Sequence, residues 1–119
     1  MSLNVSVWAP GPDGNEQSVD LGPGGGLLGF ESYRGHLWGT RVMKDLGLHL
    51  LPSLGREYGF VVREDGLDEL QHEARTIHDA AEQIEAATRI PAERVQFYAQ
   101  NLLQAVAMAR ETRGSVHVA

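Results

Sequence analysis

Glu31, Tyr33, Arg34 and His36 crowd into the stretch Phe30 to Thr40, which reads FESYRGHLWGT. A carboxylate, a phenol, a guanidinium and an imidazole at this density can supply a base, an acid and an anion clamp. A metal-independent nuclease needs such groups, but it also needs a phosphate-binding surface. The same residues have a structural reading. Tyr33, Leu37 and Trp38 are natural core anchors whose polar tips find partners. Glu31 and Arg34 stand at i, i+3, where a helix lets them pair. Arg34 or Arg41 can also reach an acidic helix further along the chain. The structural reading carries more weight, and Glu31, Arg34 and His36 remain as an alternative site.

Other motifs are weaker. Gly24, Gly26 and Gly29 match G-x-G-x-x-G, but that pattern binds a pyrophosphate only between a firm strand and a helix inside a βαβ unit. Here it reads as a flexible loop. Glu69 and His72 form one E-x-x-H, whereas a di-iron bundle needs two copies and further carboxylates. The apolar stripe around them turns His72 outward. His78 and Glu82, at i, i+4, make a surface pair. Ser32, Ser53 and Ser115 stand outside any nucleophile elbow. The chain has no cysteine, which removes disulfides, thiolate metal sites and cysteine catalysis. His36, His49 and His117 are scattered. No catalytic residue, metal site or cofactor is therefore expected.

The elements that must position these groups follow from periodicity. Leu3, Val5 and Val7 alternate with Asn4, Ser6 and Trp8, which predicts a half-buried strand. A turn-rich APGPDGNEQ follows, then a short return strand at Ser18 to Leu21 and the glycine stretch. Ser32 can cap a short helix through Trp38. Thr40 can cap a second piece, Arg41 to Leu46, which Gly47 stops. Tyr58, Phe60 and Val62 alternate as a further strand. Leu67, Leu70, Ala74, Ile77, Ala81 and Ile84 form one helical stripe, with Asp65 as its N-cap. Pro91 opens another helix, apolar on more than one face, in which Gln96, Gln100, Asn101 and Gln104 line up either as a buried network or as a polar stripe. SVHVA closes the chain as a strand. The expected fold over residues 1–119 is a single α+β domain. Its small, mainly antiparallel sheet has three or four strands, the terminal two adjacent, packed against two long helices and one broken helix.

Charge points to a class of partner. The formal charge is −6, and Arg63 to Arg94 holds nine acids against four arginines. Such a chain is a poor nucleic-acid binder and suits a basic protein, although a merely solvated helix face accounts for the same charges. No apolar run is long enough to span a membrane, and the N-terminus lacks a signal-peptide pattern, so a cytoplasmic protein is expected.

At ESYR (Glu31 to Arg34), LWGT (Leu37 to Thr40), LGLHLLPSL (Leu46 to Leu54) and LDELQHEA (Leu67 to Ala74), the chain resembles a group of small bacterial proteins. These are similar in type to the immunity proteins of bacterial toxin systems. The resemblance implies a protein that binds and neutralises a toxin, and it assigns no residue a role. The leading expectation is thus a non-enzymatic interaction protein that meets a basic toxin domain. Glu69, Glu73, Asp79 and Glu82 would supply steering charges, and Trp8, Phe97 or Trp38 an apolar anchor. The alternatives are a small enzyme or ligand-binding domain using Glu31, Arg34 and His36, and a homodimer or larger homo-oligomer built through Phe97 and Leu103.

Overall fold

The computed structural model describes residues 2–119, so Met1 lies outside it. Ser2–Pro10 forms β1, whose alternation drives Leu3, Val5, Val7 and Ala9 into the core. The turn after it closes with the Gly11 N–H donating to the Asn15 carbonyl (2.7 Å), and Glu16–Val19 (β2) returns antiparallel with Val7 opposite Val19. Ser115–Val118 (β5) pairs antiparallel with β1, placing Val5 opposite Val118 and Trp8 opposite Ser115. Phe60–Val62 (β4) then pairs with β5, so the order runs β2-β1-β5-β4. The terminal strands are neighbours, as expected.

The sheet has five strands, one beyond the expected three or four. The addition is Leu27–Phe30 (β3), which pairs with the first half of β1, Ser2 opposite Phe30 and Asn4 opposite Leu27. It shares an edge of β1 with β2, because the Val5 N–H donates to Gly26 while the Asn4 N–H donates to Ala119 on the other side. The glycine stretch therefore leads directly into an edge strand. No periodic pattern marks it, since β3 is four residues long and contains Gly29.

Next comes a single turn of π-helix, Arg34–Trp38, in which the Gly39 N–H reaches back to the Arg34 carbonyl at 2.8 Å. Arg41–Asp45 (α1) follows, and Gly47 (φ 82°) ends that region. The broken helix is present, but neither Ser32 nor Thr40 caps it through its side chain. The Thr40 hydroxyl instead donates to the Leu37 carbonyl (2.6 Å). Leu37 and Trp38 are fully buried, and the Trp38 indole donates to the Leu28 carbonyl (3.2 Å), which ties the π turn to β3.

A 3₁₀ turn, Leu51–Gly55, packs on the π turn through two glycines. A Cβ on Gly39 would sit 2.7 Å from the Arg34 oxygen and 2.8 Å from the Gly55 Cα. Gly39→Ala should therefore lower stability by about 1–3 kcal/mol through overpacking, read as a lower urea midpoint at unchanged slope.

Asp65–Asp79 (α2) and Ala81–Thr88 (α3) carry the predicted stripe, and all six of its side chains are buried. The backbone nevertheless breaks at Ala80 (φ −96°, ψ 15°), dividing what reads as one helix. Spacings of three and four continue across the break, so periodicity cannot reveal it. Asp65 is not the N-cap. Glu64 holds that position at φ 52° without a side-chain cap bond. Ala92–Thr112 (α4) buries Val95, Ala99, Leu102, Ala105, Val106 and Ala109. It lies between the sheet and the α2–α3 layer, which explains why it is apolar on more than one face. Among the described residues, no helix is long and apolar enough to cross a membrane.

Candidate functional site

Within the Glu31–His36 cluster, His36 makes no hydrogen bond or ion pair with Glu31 or Arg34 among the described residues. Arg34 pairs with Glu31, and its Nη1 donates to the Leu54 and Glu57 carbonyls at 3.3 and 3.0 Å. Its guanidinium also lies 5.5 Å from the centre of the Tyr58 ring. Arg34 thus clamps the π turn to the 3₁₀ turn and the loop beyond it, and it does not contact the acidic helix as its charge suggested. His36, two positions further, is exposed to solvent. The base-acid-clamp geometry is not assembled by these three residues.

Glu73 is the larger correction. Expected on the outward acidic face, it is 2% exposed. Its carboxylate accepts the backbone N–H groups of His49, Leu50 and Leu51 at 2.8, 2.9 and 3.0 Å. These are amides at the start of a helical turn, which have no partner within the turn and favour negative charge. Glu73 therefore fastens the 3₁₀ turn to α2 and cannot serve as a steering charge. A glutamate beside the stripe normally points to water; here residues 49–51 bring three free donors over it.

Glu69, Asp79 and Glu82 are exposed, as steering charges must be. Glu82 joins Glu85 of α3 and Glu93 of α4 around a shallow acidic notch floored by Pro91, Ala92 and Gln96. Pro91 and Glu93 lead from this notch to Arg94, the next residue, and to Phe97 one turn further along α4. Arg94 and Phe97 in turn border an apolar groove of about 360 Å³ completed by Leu27, Gly29, Phe30 and Tyr98. Three large apolar side chains stand open there: Phe30 at 61%, Leu27 at 43% and Phe97 at 40% exposure.

Aromatic packing fixes the floor of the groove. Phe30 meets Tyr33 edge-on at 5.5 Å, Tyr33 meets Tyr98 at 6.3 Å, and Phe97 lies 5.9 Å from Tyr98. Gly29 (φ 100°) lets β3 come this close, because a Cβ there would collide with the Tyr33 ring. Arg94 donates to the Tyr33 hydroxyl at 3.1 Å. The amides of α4 divide by role. Asn101 donates to the Leu27 and Gly24 carbonyls (2.9 and 3.4 Å) and Gln104 to that of Leu21 (3.0 Å), anchoring the glycine segment that delivers β3. Gln96 reaches the His78 carbonyl at 3.5 Å, and Gln100 faces solvent.

No protein-family model, curated protein or solved structure matches the chain. Its chemistry is therefore read from this surface alone. Of the proposed anchors, Phe97 belongs to it. Trp8 does not, because its side chain lies on the sheet face opposite Leu3, Val5 and Val7, where the indole donates to Ser6 (3.2 Å) and rests 5.9 Å from His117. Trp38 is sealed in the core. Leu103 is half-buried against the core, so it and Phe97 do not form one open face. Leu27, Phe30, Glu85 and Glu93 were not legible as one site, because only the fold brings β3, α3 and α4 together.

Burial, reinforced by Tyr33, pushes the Tyr98 phenol above the usual tyrosine range, and Arg94 offsets this only in part. The folded protein thus holds this proton more tightly than the unfolded chain, whose tyrosines ionise near about pH 10. The contribution is complete below that pH and is lost as pH rises toward the folded value. Melting temperatures measured from pH 8 upward should fall more steeply above about pH 10 for the wild type than for Tyr98→Phe.

Proposed function

We propose that the chain is a non-enzymatic protein-binding domain that holds a basic partner on the continuous surface running from the acidic notch to the aromatic groove. The supporting observation is the contiguity of the two parts. Glu82, Glu85 and Glu93 adjoin Phe97, Phe30 and Leu27 through the first turns of α4. An apolar side chain of the partner would seat in the groove, and its cations would face the notch. An apolar centre with a charged margin is the usual anatomy of a protein interface.

Neutralising a toxin is the specific form of this reading, and it rests on the resemblance in type. A blocking protein needs complementary charge and area, and no chemistry of its own. Homodimerisation through Phe97 is the weaker reading, since a two-fold contact would bring two acidic margins near each other. The test is co-expression with the product of the adjacent reading frame. That product should co-purify with the wild-type chain, and Phe97→Ser should release it. Co-purification that ignores Phe97→Ser would move the interface elsewhere. If the product does not associate, the toxin form of the reading is wrong.

A further inference from the structure

At the opposite end of α4 from the groove, a second cleft of about 440 Å³ is lined by Arg63, Glu64, Arg110 and Arg113, with Glu16 and Leu67 beside them. We infer that this cleft binds a small organic anion through a phosphate or carboxylate group, with Arg113 as its principal ligand and Arg63 and Arg110 as flanking donors. The three guanidiniums come from the end of β4, the last turn of α4 and its C-terminal cap. Guanidinium is the side chain best suited to forked recognition of oxyanions.

Their pairing leaves donors free. Arg113 makes no ion pair among the described residues. Arg63 meets Glu16 only at 4.0 Å, with both side chains at least half exposed, a contact an arriving anion can displace. Arg110 is held in place by Asp68 and by the Gln71 side-chain oxygen (2.6 Å). Glu16, Glu64 and the Asp68 carboxylate on Arg110 balance the three guanidiniums, so the cleft offers directed donors without net positive charge, which suits a small anion and not a polyanionic nucleic acid.

Backbone strain singles out the same place. Among the described residues three non-glycine positions have positive φ, Glu64 (52°), Arg89 (66°) and Arg113 (57°), and the first and last of these border this cleft. Such strain gathers at ligand clamps. Glycine is used next door for a different purpose: a Cβ on Gly114 would collide with the Trp8 carbonyl. A left-handed helix cap usually takes glycine itself; arginine fills that position both at Arg113 and, away from the cleft, at Arg89 after α3, so it is the lining of the cleft by Arg113 that sets it apart. The C-terminal helix dipole does favour cations there, and the experiment must separate that role from ligand binding.

Arg113→Gly makes the separation, because it removes the guanidinium and relieves the backbone. In chloride the variant should melt about 4 °C higher. Amide spectra of both proteins are then titrated with inorganic phosphate and, separately, with citrate, against sodium chloride of equal ionic strength. Saturable shifts at Glu64, Arg113 and Gly114 are expected in the wild type, about tenfold weaker in Arg113→Gly. A response to phosphate alone identifies a phosphate ligand, and one to citrate alone a carboxylate. Shifts no larger than chloride produces, or equal in the two proteins, overturn the inference.

Discussion

Glu73→Ala should cost the protein about 3–5 kcal/mol, because it strands three backbone donors that the carboxylate now satisfies. Each stranded donor carries a penalty of about 1–3 kcal/mol, least where water can enter. His49 is exposed and Leu51 is fully buried, so the loss falls mainly on the inner donors. A domain of this size has about 5–15 kcal/mol in total, so the variant should stand near its folding threshold. Glu73→Gln keeps the volume and one acceptor oxygen but turns an amide donor toward other donors. It should recover at most part of the loss. Urea unfolding gives the total, and hydrogen exchange at His49, Leu50 and Leu51 gives the local share. A loss below about 1 kcal/mol, with those amides still protected, would mean that another group holds the 3₁₀ turn.

The second large effect concerns binding, and its two halves have different kinetic signatures. Phe97→Ser removes the open aromatic between notch and groove. Central aromatic anchors contribute about 2 kcal/mol or more, so affinity for the partner should fall about 30-fold, mainly through faster dissociation. Glu82→Lys with Glu85→Lys should instead slow association by about tenfold and reverse its dependence on salt. At high ionic strength the charge variant should approach wild type, whereas Phe97→Ser should not. Reversing Glu73 together with Glu82, two of the four acids expected to steer, would confuse the two effects, since Glu73 is part of the fold.

The difference between Glu73 and Glu82 shows how far the residues alone could be read. Strand β1, the stripe of α2 and α3 and the doubly apolar α4 were legible because repeated local spacing records which face is buried. β3 was hidden, since four residues that include a glycine hold no period and its place depends on Asn101 and Gln104 from another element. The break at Ala80 was hidden because the apolar spacing continues through it. The pairing of Arg34 with Glu31 at i, i+3 was legible, but its remaining contacts and those of Glu73 were misread for a common reason. Their partners are backbone carbonyls and amides, which the sequence displays nowhere, while acidic side chains are easy to see. Phe97 was found because it lies off the stripe. Phe30 and Leu27 were not, because their exposure follows from β3 lying at a sheet edge.

The central claim, that notch and groove act as one surface for a basic partner, is tested most directly by quantitative capture from lysate of the native cells. The wild-type chain and a Phe97→Ser, Glu82→Lys, Glu85→Lys variant, shown to melt alike, serve as parallel baits. The predicted result is a basic protein retained by the wild type about tenfold or more over the variant and released from it by salt. Identical captured sets on the two baits would contradict the account.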